Sequence, residues 1–324
     1  MPPPIRRRIV ILDTLTEVSH QRFAELVDPA FDLVVARSAD HDHLEHLIAE
    51  ADYAISGQTA VPDTLFRAAK RLRLLHKWGV GVDNIDLDAA RALGIPVARV
   101  TGGNATPVAE YTIGLMIAAL RHLAWGHTEL KKGRWGTRHL PYDSMMLHGR
   151  TVGLVGFGAI GRRVATLLQA FECRVLYTRP SGRDASAEPL ATFVPLDQLL
   201  AESDVVSLHC PLSADTAGMI NREALTRMKR HAVLINVARG GVVSDPDLYW
   251  ALKEQIIRGA AVDVFDVEPL PPDSPLLELD NLVMTPHLAG IAADNFAPTV
   301  IRMLDNIARI ERGEPIPEHE RVVP

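Results

Sequence analysis

Three apolar runs in the second half of the sequence each end in a residue able to do chemistry. VLINVARGGVV at 233–243 carries Arg239, AAVDVFDVEPLP at 260–271 carries Glu268, and NLVMTPHLAG at 281–290 carries His287. A guanidinium pairs bidentately with a carboxylate, an imidazole titrates near neutrality and so gives or takes a proton, and a carboxylate beside an imidazole stabilises its cation. Each run begins as a strand and turns polar at its end. Ligands bind beyond the carboxyl ends of strands in an open parallel sheet, so the three side chains are expected in one crevice. Taken singly, each also has an ordinary role: Arg239 as a loop ion pair, Glu268 as a turn residue before Pro269, and His287 as a satisfied histidine.

A fourth segment supplies a partner for that chemistry. TVGLVGFGAIG at 151–161 is a buried-strand run followed at once by GxGxxG and then by a helical pattern over 162–171. In that context Gly156 takes a tight turn, Gly158 lets the backbone approach a pyrophosphate, and Gly161 lets the helix pack closely. The helix start, with Ala159 and Ile160, offers N–H groups and a positive dipole end. Dinucleotide binding is therefore expected. The next strand ends CRVLYTRP, where an NAD-preferring chain presents an acidic residue for the ribose hydroxyls; here stand Thr178 and Arg179, with Arg183 close by. A guanidinium suits a ribose 2′-phosphate, so NADP is expected to be preferred, with NAD possible; the other reading leaves both arginines as solvated loop charges.

The elements that position these residues follow from periodicity. Short β-branched runs at 9–12, 33–36, 151–155, 174–177, 204–208, 232–236 and 260–264 alternate with helical segments such as 245–255, which predicts an α/β protein with parallel sheets covered on both faces. A run over 107–130, with Pro in its first turn and apolar residues nearly all round its middle, predicts one long helix buried at a domain junction or a subunit interface, and 296–312 predicts a second long helix, amphipathic and ended by Gly313 and Pro315. The 324 residues, 47% of them hydrophobic, suffice for two domains. A net charge of −6 with both signs interspersed argues against nucleic acid or an anionic membrane as the main partner. Two cysteines, Cys173 and Cys210, both in apolar runs, point to reduced buried thiols rather than a disulfide framework. No export signal or membrane span is read and no metal site is expected, so a cytoplasmic protein is predicted.

Together with HKWGVGVDNIDLDAA at 76–90, NATPVAEYTIGLMIAALR at 104–121 and VVSLHCPLSADTAGMIN at 205–221, these segments resemble the D-2-hydroxyacid dehydrogenases, a family that includes phosphoglycerate dehydrogenases and glyoxylate/hydroxypyruvate reductases. The resemblance spans nearly the whole chain. It implies two Rossmann-like, doubly wound parallel-sheet domains. One is a flavodoxin-like substrate domain of 1–102 plus 291–324, the other an NAD(P)-binding domain of 103–290, and the active site is in the cleft between them. It also implies a homodimer, with 107–130 and an arm over 135–147 as contacts. The substrate implied is a small 2-keto acid reduced to the D-2-hydroxy acid, glyoxylate or hydroxypyruvate first.

On matching positions the resemblance carries over roles. Arg239 holds the substrate carboxylate and polarises the carbonyl, Val80 and Gly81 bind the same carboxylate through backbone N–H groups, His287 is the acid in reduction and the base in oxidation, and Glu268 orients it. Asp263 binds the nicotinamide carboxamide, Pro211, Thr216, Val237 and Ala238 line the adenosine and ribose, and Thr106 and Gly290 lie on the cofactor side. Three rivals stand beside this reading. Formate dehydrogenases resemble a pattern with glutamine in place of Glu268, and phosphite dehydrogenases one with lysine in place of Val80. NAD(P)-sensing corepressors keep the triad, but the sequence here ends about a dozen residues after its last helix, without a long tail.

Overall fold

In a computed structural model describing residues 6–136, 143–187 and 189–324, the chain divides into two compact units, Met1–Asn104 with Ala292–Pro324, and Ala105–Ile291. The first unit contains β1 (Arg7–Ile11), α1 (Glu17–Ala24), β2 (Phe31–Val35), α2 (His41–Ala49), β3 (Tyr53–Ser56), α3 (Asp63–Ala68), β4 (Leu74–Lys77), α4 (Leu87–Leu93) and β5 (Val97–Arg99). The second contains α5 (Ala105–Arg121), α6 (Leu123–Lys131), β6 (Thr151–Val155), α7 (Ala159–Leu168), β7 (Arg174–Thr178), β8 (Thr192–Phe193), α8 (Leu196–Glu202), β9 (Val205–Leu208), α9 (Arg222–Arg227), β10 (Val233–Asn236), α10 (Asp245–Lys253), β11 (Gly259–Val262) and β12 (Leu282–Met284). The chain then returns to the first unit as α11 (Phe296–Glu311) and β13 (Arg321–Val323).

The second unit's sheet runs β12-β11-β10-β9-β6-β7-β8, every pair parallel. Its strands are apolar on both faces because both are covered. Leu234 of β10 packs among residues of α8, α9 and α10, while Val233 and Ile235 pack with α5 and α7. Strand order reverses between β6 and β9, which makes the carboxyl ends of that pair the crevice where a doubly wound sheet takes a ligand. The first unit's sheet runs β13-β5-β4-β3-β1-β2, parallel except for β13, with its own reversal at β1 and β3. There the Asp13 carboxylate accepts N–H bonds from Gly57, from Gln58 at 2.7 Å and from Thr59 at 2.8 Å, which fixes the loop after β3.

The long helix expected over 107–130 is two helices. His122 adopts a left-handed backbone (φ 52°) that ends α5 and starts α6. Its ring lies 2.8 Å from the Asp143 carboxylate and 2.9 Å from Arg258, so side-chain partners far along the chain hold the break open. α6 buries no residue within the chain, and Leu123 and Leu130 stay exposed. Residues 137–142 of the expected 135–147 arm lie outside the described residues. Both cysteines are free and buried, and burial pushes the Cys210 thiol up to about 11. No helix among the described residues is long and apolar enough to cross a membrane.

A buried polar network ties α11 and the loop before β13 to the first sheet. His76 is fully buried; Nδ1 donates to the Lys77 carbonyl at 2.9 Å, so Nε2 must accept from the Asn306 amide at 3.0 Å. That amide also donates to Glu320, 2.6 Å away, which Arg302 reaches from the other side. A second proton on His76 would set donor against donor in a fully buried site, and burial lowers its pKa from 6.5 to about 4. The unfolded chain therefore binds the proton first, and stability is full above pH 6.5 and falls as pH drops towards 4. The loss is about 3 kcal/mol, at roughly 1.4 kcal/mol for each ten-fold difference in proton affinity between the two states. Urea unfolding at pH 7.0, 6.0 and 5.0 should show this decline, and His76→Gln should lessen its slope without removing it, because burial also lowers His209, from 6.5 to about 3; an equal slope in the variant would remove His76 as a source.

Candidate active site

The glycine turn sits at the reversal point of the second sheet. Gly156 has φ 99°, and a Cβ there would stand 2.7 Å from the His209 carbonyl group at the end of β9, so only glycine lets the two strand ends approach. Gly161 is pressed on the Gly156 carbonyl, where a Cβ would come within 2.4 Å; its tight contact is with the turn itself. Gly158 differs. A Cβ there would meet nothing within 4 Å, and no side chain caps α7, which Ala159, Ile160 and Gly161 begin. An open helix start with N–H groups facing outward fits a phosphate of a dinucleotide.

Arg239, Glu268 and His287 follow β10, β11 and β12, three neighbouring parallel strands, so all three leave the same edge of one sheet. Glu268 and His287 are joined directly, the Glu268 carboxylate lying 2.7 Å from His287 Nδ1. With Nδ1 engaged, Nε2 is the nitrogen available for proton transfer. Glu268 is itself held, its other oxygen accepting the Phe265 N–H at 3.1 Å. His287 has a left-handed backbone, φ 54°, a conformation that costs a non-glycine residue energy and persists only where neighbours fix it.

What fixes it is Asp263, which is 1% exposed. Its carbonyl accepts the His287 N–H at 2.9 Å, and its carboxylate accepts the N–H groups of Leu288 and Ala289, both at 2.8 Å, and the Thr285 hydroxyl at 2.6 Å. Three donors on a carboxylate with about four acceptor positions leave room for one more. Gly290 follows directly, half-buried.

The Arg239 loop is built the same way from side chains that composition does not single out. Asn236, 2% exposed, accepts the Ala238 N–H at 3.1 Å and donates to the Arg239 carbonyl at 3.0 Å. Arg239 Nη1 donates to the Ala238 carbonyl at 2.7 Å. A Cβ on Gly240 would stand 1.7 Å from the Phe265 carbonyl oxygen, so this loop lies directly on the loop that carries Glu268. Asp266 closes the seam by accepting N–H bonds from Gly241 at 2.7 Å and Asp245 at 2.9 Å. Burial, with the charges of Asp266 and Glu268, pushes Asp245 up to about 6, so this acidic group is half protonated near pH 6. For Asn236 and Asp263 the signal in the sequence is an Asn or Asp at the last position of an apolar strand or directly after it.

The remaining expected residues fall as follows. Val237 and Ala238 are buried at the end of β10. Pro211 and Thr216 share one turn after β9, the Thr216 hydroxyl donating to the Pro211 carbonyl at 2.6 Å. Thr106 is exposed on the first turn of α5. Val80 and Gly81 lie half-buried in the loop after β4, in the first unit. Thr178 ends β7, its carbonyl accepting the Gly156 N–H at 2.9 Å, and Arg179 and Arg183 follow it.

Comparison with known proteins gives these positions a context. The sequence model of "D-isomer specific 2-hydroxyacid dehydrogenase, NAD binding domain" matches residues 113–289. A glyoxylate reductase of Korarchaeum cryptofilum is 38% identical over 291 residues, 88% of this chain and 84% of that protein. A D-3-phosphoglycerate dehydrogenase of Archaeoglobus fulgidus is 37% identical over 81% of this chain, which spans only 50% of that longer protein. Among solved structures, an acyclic imino acid reductase in complex with NADPH and D-arginine superimposes with a TM-score of 0.85 at 26% identity, covering 98% of this chain and 100% of its own.

Proposed function

This chain belongs to the D-isomer specific 2-hydroxyacid dehydrogenase family, and from that premise we propose that it reduces a small 2-keto acid to the D-2-hydroxy acid with NADPH in preference to NADH. The observation that carries the reading is the His287–Glu268 pair, set beside the Arg239 loop on the sheet edge that also bears the open glycine turn. A bound nicotinamide supplies the hydride. Arg239 pairs with the substrate carboxylate through its planar fork, and the Val80 and Gly81 N–H groups add to that grip. His287 Nε2 gives its proton to the oxygen that gains charge, and takes it back in oxidation. Glu268 orients the ring and stabilises the imidazolium, and the remaining acceptor position of Asp263 receives the carboxamide. Thr106, Pro211, Thr216, Val237, Ala238 and Gly290 line the dinucleotide.

Support for NADP comes from the end of β7, where Thr178 and Arg179 stand in place of an acidic residue. The exposed Leu123, Leu130 and Trp135 support a homodimer formed on α6 and the chain beyond it. Glyoxylate and hydroxypyruvate are the first candidate substrates. The likeness to a glyoxylate reductase, 38% identical over 84% of that protein, supports them.

One assay tests the whole: oxidation of NADPH and of NADH, followed separately against glyoxylate, hydroxypyruvate, 3-phosphohydroxypyruvate, pyruvate and phenylpyruvate. Rapid NADPH-dependent reduction of the first two is the expected result. Binding of both dinucleotides without turnover of any keto acid would overturn the reading in favour of cofactor sensing.

A further inference from the structure

The loop after β7 contains a carboxylate that the function above does not use. Asp184 lies five residues past Arg179. Its Oδ2 accepts from Arg179 Nη1 at 2.9 Å and also from Arg162, which stands one position past the last glycine of the phosphate-binding turn. Its Oδ1 accepts from the Ser186 N–H at 3.0 Å and the Ser186 hydroxyl at 2.7 Å. The Asp184 N–H donates to the hydroxyl of Tyr177 at 2.7 Å, and that ring is buried and stacked on Phe157 with centroids 4.2 Å apart. The aspartate is thus anchored from the sheet, and the arginines are steered onto it. Arg179 Nε is tied to the Gly182 carbonyl at 3.0 Å, and the Arg162 guanidinium lies 5.0 Å over the Phe157 ring.

Two guanidiniums converging on one oxygen, beside the helix start of a dinucleotide turn, form the arrangement a phosphate would seek. Here a residue of the chain itself occupies it. We propose that Asp184 is the specificity-determining residue of the ribose site: it holds Arg179 and Arg162 as an internal anion and competes with a ribose 2′-phosphate for them. The inference rests on the reading above that Arg179 faces the adenosine ribose.

Two arguments choose this role over direct recognition of ribose hydroxyls by Asp184. A carboxylate has about four acceptor positions, and Arg179, Arg162 and the two Ser186 donors fill them, so none remains for a hydroxyl. The charge balance also separates the two cofactors. A 2′-phosphate brings roughly −1.5 to −2, so removing the competing −1 strengthens its attraction to both arginines, whereas a neutral 2′-hydroxyl gains nothing.

The test is a calorimetric titration of the whole protein with 2′,5′-ADP and with 5′-AMP, adenosine fragments that differ by the 2′-phosphate and need no turnover. Asp184→Asn should tighten 2′,5′-ADP about ten-fold and leave 5′-AMP within about two-fold, and adding Arg179→Ala should abolish the gain. Asp184→Ser, with thermal melts of each variant, guards against a folding effect. No gain in either folded variant, or weaker 5′-AMP binding, overturns the proposal. The two readings fail separately. Wild-type preference for 2′,5′-ADP that both variants leave unchanged keeps the NADP preference and removes Asp184. Equal wild-type affinity for the two fragments with a gain in Asp184→Asn keeps Asp184 and removes the NADP preference.

Discussion

His287→Asn is expected to lower kcat by about 10²- to 10⁴-fold while dinucleotide binding stays within about two-fold of wild type, the range lost with a positioned general acid. Asparagine is the informative replacement because His287 has φ 54°, a backbone state that asparagine adopts more readily than alanine, so the variant removes the proton donor without adding strain to the loop. Four hydrogen bonds from Thr285, His287, Leu288 and Ala289 to Asp263 remain in place. Glu268→Gln should lose less, about 10- to 100-fold, since an amide oxygen can still accept from Nδ1 and orient the ring, but as a neutral group rather than a carboxylate. Stopped-flow measurement of single-turnover NADPH oxidation would read the chemical step directly. A His287→Asn protein that turns over within ten-fold of wild type would place the proton elsewhere.

Why some of this is legible in the sequence and some is not comes down to the range of the interactions. The run 151–155 and its glycines announce themselves because strand period, turn and helix start are all local, and β6 lies at those bounds. The first unit's β4 gives no such signal, because its last two residues are His76 and Lys77, polar types that the fold buries by giving them partners on α11 and in the loops after β3 and β4. The break at His122 is equally hidden, since Arg258, 136 positions away, helps to hold it.

At the site, type and spacing point to the candidate residues but not to their supports. Asn236, Asp266 and Ser186 matter only for which N–H or carbonyl stands within reach. Asp263 is expected on the nicotinamide side, and the structure adds that it also anchors the His287 loop. Asp184 is silent for the same reason: a lone acid in a polar loop carries no signal until Arg162 and Arg179 are seen to share it.

Arg239→Gln should lower kcat/KM for the keto acid by about 10²- to 10⁴-fold, because truncating one partner of a hydrogen-bonded charge pair costs roughly 2–5 kcal/mol, much of it from the carboxylate left without its partner. Most of the loss should appear in KM, with a smaller fall in kcat for the weakened polarisation of the carbonyl. Arg239→Lys should recover only part of it, since an ammonium is a point charge and cannot meet two carboxylate oxygens in parallel. The backbone around the site should survive both changes. Asn236 holds this turn through the Ala238 N–H and the Arg239 carbonyl, and Gly240 seats it against Phe265, none of which involves the guanidinium. Within the loop the guanidinium gives up its 2.7 Å bond to the Ala238 carbonyl, which water can replace. Steady-state kinetics with glyoxylate, paired with NADPH binding by fluorescence, separates the cases. A KM that rises less than about ten-fold in Arg239→Gln would mean that the N–H groups of Val80 and Gly81 carry the carboxylate and that Arg239 acts on the carbonyl alone.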